Sequence, residues 1–280
     1  MRPDTLGVVG LGAVGGSLAW QATLAGVPRV VGYSPSPAEA VRAVRDGAVT
    51  DIAPSAAFVF KHAEIVVLAT PAAATMTLLP TAAELLRAGR YCTDVIPAKR
   101  AVVERATTLG LAPRFAGSHP LVSVAGRGFA GAEPAAFRGA LVYVTPAGPE
   151  DTAAREIADF WGTVLEAEPV VLDAADHDAI VAWTGHLPRV VAAALARACR
   201  TDGPRGVTYG CEAGAVTQPA LAPVETLRDV LLLNRDAVLA SIDDFETSLG
   251  GLRAALRDGD GRRLDAWLRE AAAWRGRISS

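Results

Sequence analysis

Residues 6–19 read LGVVGLGAVGGSLA, with Gly10, Gly12 and Gly15 in a G-x-G-x-x-G spacing. An apolar, β-branched run precedes the glycines and an alanine-rich segment of helical length follows them. In a strand–turn–helix setting each glycine has a task. One makes the tight turn, one lets the backbone approach a pyrophosphate, and one lets helix and strand pack closely. The N–H groups at the helix start then face the phosphates. The spacing alone is weak in a chain with 27 glycines; its place at the start of a βαβ unit makes it a dinucleotide-binding fingerprint. The plain alternative is a glycine turn used only for packing. Cofactor contacts are expected from Gly10, Gly12, Ala13, Val14 and Gly15, from Ser34 after the next strand, and from Thr70 and Pro71 after EIVVLAT.

Outward from this loop the same alternation continues. TLGVVG, RVVGYS, EIVVLAT, RYCTDV, RFAG and ALVYVTP read as strands, with helices expected at 14–25, 37–46, 72–87 and 98–108. Strands that are almost wholly apolar fit a mostly parallel sheet covered on both faces. After LEAEPVVLDAADHD the pattern becomes helical, with Leu227, Val230, Leu231, Leu233 and Val238 recurring at three and four. The expected architecture is a Rossmann dinucleotide-binding domain over 1–165 and an all-helical substrate and dimerisation domain over 166–280. The Gly- and Pro-rich stretch from Arg200 to Pro223 reads as a long irregular connection.

Composition narrows the function classes. Half of the 280 residues are hydrophobic, a fifth are charged and the net charge is -3, with Lys and Arg scattered. Neither a nucleic acid nor a membrane is expected as partner. Cys92, Cys199 and Cys211 form no CxxC pair, so no disulfide framework and no metal site is expected. The N-terminus lacks the pattern of a secretory leader, and a cytoplasmic location is expected.

Five segments in order resemble the prephenate/arogenate dehydrogenases of tyrosine biosynthesis: VGLGAVGGSLA, TDVIPAK (93–99), GSHPL (117–121), HDAIVAWTGHLPRVVAAAL from His177, and LRDVLLLNRDAVLASIDDFETSL from Leu227. The resemblance spans nearly the whole chain. It implies an NAD- or NADP-dependent oxidative decarboxylation of a small anionic cyclohexadienyl substrate, in a homodimer joined through the C-terminal helices. Hydride leaves the ring carbon that bears the 4-hydroxyl, the ring carboxylate departs as carbon dioxide, and the ring becomes aromatic. His119 occupies the histidine of the family's G-x-H-P motif, which polarises that hydroxyl. A neutral imidazole suits such proton transfer near physiological pH; the plain alternative is a turn histidine bonded to nearby backbone. His186 is a second site candidate or a satisfied core histidine. His177 is read as organising the start of its helix, and His62 as solvated.

Several positions depart from the family pattern. Pro97 stands where the family has a serine that shares the ring hydroxyl, and it offers neither hydroxyl nor N–H. The helical motif S-H-L-P-H becomes GHLPR, with Gly185 and Arg189 substituted. Ungapped alignment puts Ala215 and Gln218 in place of the Asp and Arg of D-x-T-R-x-A, the arginine that binds a substrate carboxylate. Glutamine does not replace that charge, and Arg189 is expected to supply it. Pro97, His186, Arg189 and Gln218 are therefore the expected substrate contacts. The strand ending in Ser34 lacks the carboxylate that selects NAD, which tilts the expectation slightly towards NADP. A 4-amino-4-deoxyprephenate-type substrate, a general Rossmann hydroxyacid or imine reductase, and a cofactor-binding protein without catalysis remain alternatives. The chain ends AAAWRGRISS, and no regulatory module is expected after the helices.

Overall fold

The computed structural model describes residues 2–124, 126–149, 152–202 and 210–277. The first half alternates strands and helices: β1 (Thr5–Val9), α1 (Ala13–Leu24), β2 (Arg29–Tyr33), α2 (Pro37–Arg45), β3 (Asp51–Ile52), α3 (Ala56–His62), β4 (Ile65–Leu68), α4 (Ala72–Leu85), β5 (Tyr91–Asp94) and α5 (Arg100–Thr108). These five strands form one parallel sheet in the order β3-β2-β1-β4-β5. Its two faces bury different side chains of the same strand. On β4, Ile65 and Val67 join the core beneath α1, while Val66 and Leu68 join the core beneath α3, α4 and α5. Burial on both faces is why the strands read as continuous apolar runs.

The chain then departs from the expected parallel pattern. Phe115 bridges Cys92 and leads into β6 (Ala116–Pro120), which pairs antiparallel with β7 (Leu141–Pro146). Parallel pairing needs a crossover, usually a helix. The β6–β7 connection has only a 3-10 turn at Phe129–Gly131 among its described residues, so the chain doubles back. After α6 (Thr152–Leu165), β8 (Glu168–Val171) adds parallel to β7. β6, β7 and β8 thus form a second, three-stranded sheet that ends at Val171, and helices follow from Ala174.

The second half consists of α7 (Ala174–Val181), a π-helical turn (Ala182–His186), α8 (Leu187–Asp202), α9 (Cys211–Thr217), α10 (Val224–Leu233), α11 (Arg235–Asp258) and α12 (Gly261–Arg277). The π turn sits just before Pro188, whose ring would crowd the carbonyl four residues back in a regular α-helix. Within the connection expected to be irregular, residues 211–217 are helical and pack on α8; that tertiary contact overrides the unfavourable Gly214. The stretch Ala174–Cys199 has the length and mean hydropathy, 1.3, of a membrane span. It nevertheless carries buried His177, Asp178 and His186, and it forms one wall of a cleft against the sheet.

Candidate active site

The glycine loop has the form its spacing predicts. Gly10 has φ +100°, and a Cβ there would lie 2.4 Å from Ala69 O. A Cβ on Gly15 would fall 1.9 Å from Gly10 O, while Gly12 faces open space. Gly12 also caps α1 without any side-chain hydrogen bond, so the first N–H groups of that helix stay available to an anion. Thr70 packs against Gly10, Pro71 caps α4, and Gly10 N donates to Tyr33 O beside Ser34. The expected cofactor residues therefore share one rim, at the carboxyl ends of β1, β2 and β4. These residues fit a nicotinamide dinucleotide. Ser34 Oγ donates to Glu39 Oε2 at 2.9 Å, which places a carboxylate on α2 beside the end of β2.

A cleft of about 540 Å³ opens between the sheet and the helices. Val14 of the glycine loop lines it, together with Pro97, His119, His186 and Arg189. Four of the expected substrate or catalytic side chains thus meet beside the cofactor loop. Gln218 does not: it starts a 3-10 turn at Gln218–Leu221, is exposed, and lies outside the lining, which takes Ala222 and Pro223 from the next residues instead.

His119 lies within β6, paired with Tyr143, rather than after the strand. Strand alternation turns Ser118 to the opposite face, where its Oγ lies 2.6 Å from Thr93 Oγ1 and accepts from Trp161 Nε1 at 2.9 Å. Lys99, fully buried, pairs with Asp94 and donates to Ser118 O at 2.7 Å. Burial pulls the Lys99 pKa down, and Asp94 opposes that. Both ends of TDVIPAK thus brace the backbone next to His119.

His177 is the residue that sequence reasoning assigned to the wrong task. It is buried inside α7, with Nε2 2.9 Å from His119 Nδ1 and Nδ1 2.8 Å from Asp178 Oδ1. Asp178 in turn accepts Lys99 N at 2.7 Å and Arg100 N at 3.0 Å, so it caps α5 from another helix. Burial works to raise the Asp178 pKa, but the hydrogen bonds from His177 and these two N–H groups outweigh it. Burial is also the main reason His119 is held well below the usual histidine range, with the electrostatic influence of His177, Lys99, His186 and Arg189 adding to it. His186 is fully buried, and burial pushes its pKa down to about 4. Its Nδ1 lies 3.2 Å from Asn234 Nδ2. Neither His177 nor Asn234 belongs to the expected site. The available signals were the DHD triplet and a single amide inside the apolar run VLLLNRDAVL. His62 is exposed at the end of α3, as expected.

The sequence family described as prephenate dehydrogenase, nucleotide-binding domain, matches residues 24–167, just over half of the chain. The chain belongs to the prephenate dehydrogenase family. Prephenate dehydrogenase of Bacillus subtilis (strain 168) is 29% identical over 283 residues, covering 97% of this chain and 75% of that protein. Cyclohexadienyl dehydrogenase of Zymomonas mobilis is 27% identical, covering 95% and 93%. Among solved structures, Synechocystis arogenate dehydrogenase superposes with a TM-score of 0.82 at 26% identity, over 98% of this chain and 99% of that one. The fold is also that of Aquifex aeolicus prephenate dehydrogenase, at TM-score 0.90 and 23% identity over 98% of each chain. As a member of this family the protein is a nicotinamide-dependent dehydrogenase of the prephenate/arogenate type. Pro97, Gly185 and Arg189, the positions expected to depart from the family pattern, all line the cleft.

Proposed function

We propose that the protein oxidatively decarboxylates a 4-hydroxycyclohexadienyl acid, prephenate or arogenate, with His119 as the group that accepts the hydroxyl proton. The observation that carries this reading is His119 itself, in one cleft with Val14 of the cofactor loop and held neutral by burial. A neutral ring nitrogen in that position takes a hydrogen bond from the hydroxyl as the C4–H bond breaks. The bond to the ring carboxylate breaks in the same conversion, carbon dioxide leaves, and its electron pair completes the aromatic ring. The bound nicotinamide supplies the two-electron acceptor. Arg189, at the cleft's solvent side, anchors a substrate carboxylate, and Pro97 contributes an apolar wall without a hydrogen bond.

The cofactor in this reading is NAD. Ser34 removes the usual strand-end carboxylate, but its hydrogen bond to Glu39 returns one to the same rim. A carboxylate there accepts from a ribose 2′-hydroxyl and repels a 2′-phosphate. Glu39→Ala is expected to lower the NAD-over-NADP ratio of kcat/KM at least tenfold. The helices α10 to α12 expose Leu232, Leu239, Leu256, Leu268 and Trp274. Apolar exposure of that extent on one half fits a homodimer, measurable by sedimentation, in a cytoplasmic enzyme.

The deciding assay mixes purified protein with prephenate, arogenate or the 4-amino analogue, and NAD or NADP, and follows reduced nicotinamide by absorbance. Turnover of a hydroxyl substrate is expected. Failure of both hydroxyl substrates, whatever the cofactor, sinks the reading.

A further inference from the structure

Two hydrogen-bond chains leave Asp178 and end on different histidines of the cleft. The first leaves the carboxylate: Oδ1 to His177 Nδ1 at 2.8 Å, then His177 Nε2 to His119 Nδ1 at 2.9 Å. The second leaves the main chain: Asn234 Nδ2 donates to Asp178 O at 2.8 Å and stands 3.2 Å from His186 Nδ1.

Donor and acceptor chemistry gives each chain one polarity. An ionised carboxylate only accepts, so His177 carries its proton on Nδ1. A neutral ring then has a bare Nε2, which must accept from His119 Nδ1. The proton of His119 is thereby placed on Nδ1, leaving its Nε2 bare. Along the second chain, a carbonyl at 2.8 Å requires the amide nitrogen of Asn234, not its oxygen, on that side. The second hydrogen of the same NH₂ faces His186 Nδ1, which must be bare, and the proton of His186 sits on Nε2. That Nε2 is buried and has no hydrogen-bond partner among the described residues. The Pro97 backbone carbonyl interacts with His186 and favours its charged form, but that contact falls outside hydrogen-bonding geometry for Nε2. An unpaired buried donor is costly and is satisfied when a ligand supplies an acceptor.

We propose that Asp178 sets the protons of both cleft histidines, so that the reacting substituent meets one acceptor, His119 Nε2, and one donor, His186 Nε2. A hydroxyl matches that pair, donating to one and accepting from the other. An ammonium group only donates; it satisfies His119 and meets the N–H of His186 head-on. The cleft is therefore built for a 4-hydroxy substrate and against a 4-amino one. This rests on the reading of His119 as the group facing the reacting hydroxyl. Asp178, His177 and Asn234 are positioning residues, acting through the two histidines.

With four histidines in the chain, ¹⁵N-histidine labelling and long-range ¹⁵N–¹H spectra at pH 7.5 resolve each ring's tautomer. The expected result is Nδ1–H for His119 and His177, and Nε2–H for His186. Either His119 as Nε2–H or His186 as Nδ1–H overturns the proposal. Asp178→Ala removes the acceptor that fixes the proton on His177 Nδ1. His119 is then no longer held as Nδ1–H, and kcat falls at least a hundredfold with KM within threefold. Because Asp178 also caps α5, Asn234→Leu is the second arm. It leaves that cap in place, frees the His186 tautomer, and lowers the 4-hydroxy over 4-amino preference in kcat/KM at least tenfold. An unchanged preference with an unchanged His186 tautomer overturns the second chain. Expected tautomers in a protein that turns over no hydroxyl substrate reject the functional reading and leave the proton assignment standing.

Discussion

The two ends of the cleft solve different physical problems. At the histidine end His177 and His186 are buried, and both lead back to Asp178 through defined partners. At the other end Arg189 is exposed, and its Nη1 donates to Gly185 O, in the turn just before its own helix, at 3.0 Å. Fixing which nitrogen carries a proton requires excluding water, because water would stabilise either tautomer. Anchoring a carboxylate requires only a charge within reach, and an arginine retains that in solvent. In the proposed function the buried end determines the reaction, and the exposed end selects which anion is held for it.

The largest effect expected from this contrast is at His119. His119→Asn removes the proton acceptor while keeping a polar side chain, and kcat should fall about 10²- to 10⁴-fold, the usual contribution of a positioned general base. Steady-state kinetics with the hydroxyl substrate checks it, and a fall confined to KM would break the contrast. Next comes Arg189. Arg189→Ala should raise KM about tenfold or more, as expected for loss of a charged hydrogen-bonded contact, with kcat within threefold. The wild-type KM should also rise with salt, because an exposed charge is screened. A salt-independent KM, or a fall in kcat alone, would place the anion elsewhere in the cleft.

How far the site was legible in the sequence follows the same division. The placing of the glycine loop and of His119 could be read because each signal is local: a spacing that forces a turn, and one histidine in a short motif. The role of His177 was hidden, since DHD shows only that His and Asp are neighbours on a helix. Its meaning arises when α7 packs on β7, brings His177 to His119 and caps α5 with Asp178. Asn234 joins from the junction of α10 and α11, 56 residues further on, and no spacing rule connects the two. Glu39 was missed in a similar way, because Ser34 was read as the end of the strand when its hydroxyl holds a carboxylate five residues later. Gln218 shows the opposite error. Ungapped counting through an irregular connection put it in the cleft, yet the helical turn of α9 leaves it outside.

The smallest effect separates the two ends by pH. His119, His177 and His186 all have folded-state pKa values pushed down, with burial the first cause in each. In the unfolded chain their pKa returns to about 6.5. Below that pH the unfolded state binds protons that the folded state refuses, so stability is full above 6.5 and is lost as pH falls towards the folded values. For His186, pushed down to about 4, the loss across that window is on the order of 3 kcal/mol. Urea unfolding midpoints should therefore hold between pH 7.5 and 6.5 and decline steadily from 6.5 to 5. His186→Leu should flatten part of that decline, whereas Arg189→Ala, at the exposed end, should leave its slope unchanged. The acid limb of kcat/KM should likewise lie below 6.5, since His119 stays neutral well under that pH. A midpoint that ignores pH down to 5 would mean that the buried histidines take up protons as readily in the folded state as in the unfolded one. It would remove the physical distinction between the two ends.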